Sequence, residues 1–238
     1  LSIIQEQEPD FSEQFCEGVS IDDLDNEAIE ILKDKYAKKQ KNPSFRSLEN
    51  YQALSDLGLI FQGKVTNAAV ILVGKKDIIN SKYPQAKISL EYRTGESNIH
   101  FDAREFFDGP YYIMIDKLWA AINSRNGSVP VRNGIYKDYD IPLFNEDVIR
   151  EALNNAIAHR AYDIQGEIVV KQYPTQMIFV NPGGFPHGVT IDNILYVQST
   201  PRNRLLADVL SKTGLVERSG QGVDNIFLDT LSEGKPAP

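Results

Sequence analysis

Glu151, Asn155 and His159 recur at four-residue intervals within the stretch Phe144-Asn145-Glu146-Asp147-Val148-Ile149-Arg150-Glu151-Ala152-Leu153-Asn154-Asn155-Ala156-Ile157-Ala158-His159-Arg160. At about 100° per residue an α-helix would set these three on one face and Ile149, Leu153 and Ile157 on the other. Asn145 suits the N-cap, and the two acids after it suit the first turn. An asparagine carbonyl oxygen is a hard ligand of the kind Mg²⁺ takes, that ion keeping several waters and drawing its other donors from phosphates. A carboxylate one turn away can orient or deprotonate an attacking water. The bland alternative is a polar helix face meeting solvent, with His159 as a structural hydrogen-bond partner, and the helix alone leaves both open. The adjacent asparagines Asn154 and Asn155 are poor helix formers with no local reason to sit mid-helix.

Two glycine-bearing elements follow. The strand expected over 176–180 runs into Asn181-Pro182-Gly183-Gly184, where a glycine pair permits close backbone approach to a ligand. Asn181 can read a base edge, since its amide offers an acceptor and donors side by side, or can simply belong to a turn. The stretch Gly214-Leu215-Val216-Glu217-Arg218-Ser219-Gly220-Gln221-Gly222 precedes an expected helix, and free amides at such a junction bind phosphate. It lacks the spacing of a P-loop. Between the two, residues 203–212 read as a helix able to lie over a ligand.

The elements that must position these residues are legible as pattern. Residues 1–20 show no period and read as an extended lead-in. Helical spacing starts near Asp22 and ends before Pro43, and a second helix over 47–57 stops at Gly58. The segments 59–61 and 68–73, around Gln62-Gly63, read as two strands or as a strand with a buried segment, so the unit is either winged-helix-like or a packing subdomain. Alternation over 87–93 and 98–107 predicts a hairpin turning at Thr94-Gly95-Glu96, then a helix from Gly109-Pro110 to about 123, then strand and turn over 128–141. The boundaries that result are 21–127 for an α+β linking region and 128–238 for the module carrying the chemistry.

Composition narrows the function classes. The 238 residues carry 33 acidic and 25 basic side chains, a formal charge of -8, which argues against a broad nucleic-acid surface. Lys33, Lys35, Lys38, Lys39 and Lys41 form a small basic cluster, read either as a solvated helix end or as a local contact for DNA. Three scattered histidines and the single Cys16 provide neither zinc-ligand spacing nor an internal disulfide, which suits a reducing cytoplasm. No apolar run reaches the roughly 18 residues of a membrane span, and no secretion signal opens the chain. The start at Leu1 and the end in Pro236-Ala237-Pro238 read as cuts within a longer protein.

Taken in order, Arg150 to Tyr162, Asn181-Pro182-Gly183-Gly184, Pro201-Arg202-Asn203 and Glu217-Arg218-Ser219-Gly220-Gln221-Gly222 resemble a known family. It is the divergent histidine-kinase-like (GHKL, HATPase) ATPase domain of transcriptional regulators, often labelled as related to the C-terminal part of the RecG ATP-dependent DNA helicase. Residues 1–125 resemble the segment that follows a Schlafen/AlbA-like domain in such proteins, notably at Leu57-Gly58-Leu59, Lys64-Val65-Thr66-Asn67-Ala68 and Asp108-Gly109-Pro110. The resemblance implies an α+β fold with helices layered on a mixed sheet, incomplete at its C-terminal end, behind a small helical, winged-helix-like start. It implies ATP and Mg as cofactors, Asn155 on the metal, and Glu151 as the base of at most slow hydrolysis. Asn181, Gly183 and Gly184 would form the adenine box, Gly220 and Gly222 the phosphate side, and 185–219 the lid.

The partners so implied are DNA through an adjoining domain and, by analogy, a second copy of the chain. Asn181 departs from the aspartate usual in the wider superfamily and would accept the adenine amino group without charge assistance. Ala161 stands where the closer family has an acid. A competing reading is a scaffold without nucleotide that meets DNA or protein through residues 20–75.

Overall fold

Side-chain caps start the helices at Asn26 and Asn67. The computed structural model describes residues 9–95, 100–133, 137–184, 190 and 201–215. Asp25 accepts from the Ala28 amide at the head of α1 (Asn26–Lys39), whose last turn carries Lys38 and Lys39. A 3-10 turn, Pro43–Ser47, leads to α2 (Asn50–Asp56), and Gly58 closes it at φ +72. The strands β1 (Ile60–Phe61) and β2 (Lys64–Val65) pair antiparallel across Gln62-Gly63, both at positive φ as a tight hairpin turn requires.

The run 68–73, expected as a strand or as a buried segment, is the helix α3 (Asn67–Val73), N-capped by Thr66 Oγ1 on the Ala69 amide at 3.2 Å. Every residue of α3 is buried, so no polar face marks a helical period in its sequence. After it comes α4 (Lys76–Lys82). From residue 9 onward the lead-in contains a 3-10 turn at Phe11–Glu13, with Asp10, Ser12 and Cys16 buried.

The remaining elements are β3 (Ile88–Tyr92), β4 (Ala103–Phe107), α5 (Tyr111–Asn123), β5 (Ser128–Asn133), β6 (Lys137–Pro142), α6 (Glu146–His159), β7 (Ile168–Gln172), β8 (Met177–Val180) and α7 (Arg204–Lys212). The main sheet has the order β4-β3-β7-β8, in which β3 and β7 are parallel and the outer pairs antiparallel. A parallel pair needs a crossover, and here it carries α5, the β5–β6 hairpin and α6. The fold is therefore α+β, helices layered on a mixed sheet, as expected, and that sheet takes two strands from each side of residue 127.

Ile88, Leu90, Ile168 and Val170 are buried and alternate with residues of the opposite face. Gln172 extends the inner row and donates from Nε2 to the Ile122 carbonyl of α5 at 3.0 Å. The other face carries ion pairs, Arg93 with Glu91 and Arg104 with Glu167, each at 2.7 Å. The β3–β4 connection is longer than the predicted tight turn: β4 begins at Ala103, and Asp102 accepts from both the amide and the hydroxyl of Thr94. Among the described residues no helix is long and apolar enough to cross a membrane.

Candidate functional site

The helix that bears the candidate chemistry forms as its sequence dictates. Asn145 Oδ1 accepts from the amides of Asp147 and Val148 at 2.9 and 3.4 Å, and Glu146 and Asp147 occupy the positive first turn of α6. Ile149, Leu153 and Ile157 are buried, while Glu151, Asn155 and His159 are half-buried along one side. Asn155 Nδ2 donates to Glu151 Oε1 at 3.2 Å. That bond uses the NH₂ end of the amide, so the carbonyl oxygen is the end turned away from the carboxylate. His159 is held below its usual pKa, by burial first and by the nearby Arg202 second.

The end of β8 meets the last turn of α6. Asn181 Nδ2 donates to the Ala156 carbonyl at 3.0 Å, and the Ala161 amide donates to the Pro182 carbonyl at 3.0 Å. With its NH₂ group committed, the Asn181 side chain offers Oδ1, a buried acceptor with no partner among the described residues. An acceptor left in that state costs on the order of 1–3 kcal/mol, and a ligand N–H would recover it. Gly183 has φ +112, and a Cβ there would stand 2.9 Å from the Ala161 Cβ, so both backbone and space require glycine. Gly184 is exposed, and among the described residues nothing lies within 4 Å of its Cβ position. The small Ala161 is thus what lets the glycine turn close against the helix end.

Residues 201–215 reach the same end of α6. Asn203 Nδ2 donates to the carbonyls of Ala158 and Arg160 at 3.0 and 2.8 Å, closing the C-terminus of α6. Arg202 donates to the Gly184 carbonyl at 3.3 Å and lies beside His159. The structure therefore pairs Glu151 with Asn155 and sets Asn181 and Gly183 against the C-terminal end of the same helix, whereas Gly220 and Gly222 lie outside the described residues. Arg202 and Asn203 tie the site together without having been assigned roles from sequence, since their partners are more than 15 residues away. Asn154 was marked only as half of an odd pair, and it proves fully buried rather than part of the polar face.

Among the described residues no group of three His, Cys, Asp or Glu side chains could hold a metal. A Mg²⁺ at Asn155 would accordingly take its remaining ligands from phosphate and water, which is that ion's ordinary habit. The basic cluster of α1 is partly consumed. Lys33 is buried and bonded to Glu30 at 2.8 Å, and Lys38 and Arg46 share Asp34.

Comparison with known proteins divides the chain. Residues 165–238 match the family model described as "Putative ATP-dependent DNA helicase recG C-terminal", and residues 1–89 match a domain of unknown function, DUF8451. The first match takes in Asn181, Gly183, Gly184, Gly220 and Gly222, while α6 with Glu151 and Asn155 falls between the two. The ATPase-like relationship of the C-terminal part is thereby supported at the level of the family. No curated protein matches. The fold is shared with the DIP2311 protein of Corynebacterium diphtheriae at a TM-score of 0.82 and 23% identity, over 97% of this chain and 44% of that one. The chain thus spans less than half the length of that protein.

Proposed function

We propose that residues 144–215, with the glycine segment that follows, bind Mg-ATP, and that nucleotide occupancy switches a DNA-binding domain in a transcriptional regulator. The observation that carries this reading is the Asn181 amide, with Nδ2 anchored on α6 and Oδ1 buried with no partner among the described residues. An adenine amino group is a donor of the right kind for it, and the family match of residues 165–238 supports the same class of ligand. Asn155 would bind the metal through its carbonyl oxygen, and Mg²⁺ would supply charge neutralisation at the phosphates. Glu151, bonded to Asn155 and half-buried, would orient water for slow hydrolysis.

Thermal unfolding with Mg-ATP, ADP and GTP tests this. At about 100 times Kd, binding adds roughly 2.7 kcal/mol and raises Tm by about 5–10 °C. The shift should require adenine and be lost in Asn155→Ala. Glu151→Ala should abolish turnover and keep the shift; if it removed the shift, the base role would be wrong. Absence of any shift in the wild-type chain would leave the scaffold reading.

A further inference from the structure

The face of the main sheet turned away from the buried Ile88, Leu90, Ile168 and Val170 is laid out in rows across the strands. Register sets Phe106, Ser89, Val169 and Val180 in one row, and Arg104, Glu91, Lys171 and Ile178 in the next. Lys87 and Glu167, one alternation before Ser89 and Val169, begin a third row on the same face. A sheet face that meets only water is ordinarily polar. Here Phe106, Val180 and Ile178 are 55%, 43% and 41% exposed, standing on β4 and β8 at the two ends of the rows.

Between those ends the charges alternate in sign both along and across the strands. Lys87 and Glu91 lie on the β3 side, and Glu167 and Lys171 on the β7 side, so that Lys87 stands beside Glu167 and Glu91 beside Lys171. Such a checkerboard is complementary to itself. A half-turn about an axis in the plane of the face, whether along the strands or across them, sets each of these cations over an acid of a second copy. The acids also keep partners when water is excluded, because Arg93 donates to Glu91 and Arg104 to Glu167, each at 2.7 Å.

We infer that this face joins two copies of the chain, packed sheet on sheet about a two-fold axis. Phe106, Ile178 and Val180 leave water in each copy, and Lys87, Glu91, Glu167 and Lys171 meet their opposites in the partner. With a formal charge of -8 on each chain, two copies repel at long range, and a locally balanced surface is where they can meet. The same balance disfavours a nucleic acid, whose phosphates call for a cationic excess, even though Lys87 and Arg104 lie over the Phe106 ring at 5.5 and 4.8 Å from its centroid.

Sedimentation equilibrium of the chain at micromolar concentrations tests this, and wild type should dimerise reversibly. Phe106→Ala should raise the dimer dissociation constant about tenfold or more. Lys87→Glu combined with Lys171→Glu turns the whole checkerboard negative and should leave only monomer. Both lysines are half-exposed, so far-UV circular dichroism should stay that of wild type. Lys64→Glu combined with Lys117→Glu makes the same change of net charge at exposed positions off this face, and the dimer should survive it. A monomeric wild type, a dimer that persists in the Lys87 and Lys171 variant, or equal loss in the Lys64 and Lys117 variant would overturn the inference. So would a monomer that binds oligothymidylate in a manner lost with Phe106→Ala, which would assign the face to single-stranded nucleic acid.

Discussion

His159 is the residue of the candidate site whose charge state the structure biases most visibly. Burial, aided by Arg202, favours its neutral form in the folded state, so the unfolded chain binds more protons as pH falls through the ordinary histidine range. Its contribution to stability is complete above about pH 6.5 and declines on acidification from there towards the lowered folded value. Between pH 7.5 and pH 5, Tm should fall less in His159→Gln than in wild type. A parallel fall in both, measured by calorimetry, would mean that His159 is not the proton acceptor. At this scale the sequence was informative where partners are local: the Asn145 cap and the Glu151–Asn155 bond both lie within one turn. It was silent where they are remote, as for Asn181 on Ala156, because no spacing rule links residues 25 apart in different elements.

At the scale of elements, α7 is the helix whose ends are most fully accounted for by the rest of the chain. Its expected place over 203–212 was legible from a strong apolar stripe, and Leu206, Val209 and Leu210 are buried. Its N-terminal cap was not legible, because Asn203 turns its side chain to α6 and the free amides are served by the lead-in. Asp10 Oδ2 accepts from the Leu205 amide at 3.1 Å, and Ser12 Oγ accepts from the Leu206 amide at 3.3 Å. At the other end Gln40 Nε2 donates to the Lys212 carbonyl at 2.8 Å. Asp10→Ala should cost about 1–2 kcal/mol and lower Tm by about 2–8 °C. The loss should be accompanied by faster amide exchange at Leu205 and Leu206; protection equal to wild type there would show that the cap is dispensable. The segment of α3, open in the sequence between a strand and a buried segment, teaches the complementary lesson, since a helix buried on every side carries no periodic signal to separate it from a buried strand.

For the whole molecule, the α+β layering could be anticipated, while the way its parts interlock could not. The parallel pairing of β3 with β7 and the capping of α7 by Asp10 and Ser12 join segments that no local pattern relates. That capping also bears on how the chain is made. Asp10 and Ser12 leave the ribosome about 195 residues ahead of the amides they serve, an interval of roughly 10–40 s at ordinary rates of synthesis. Until then the lead-in holds polar groups whose final partners do not exist, and α7 on emerging has neither a local cap nor length enough to persist alone. The clasp can only be a late event in folding, made after the lead-in and α7 have been brought to the same place.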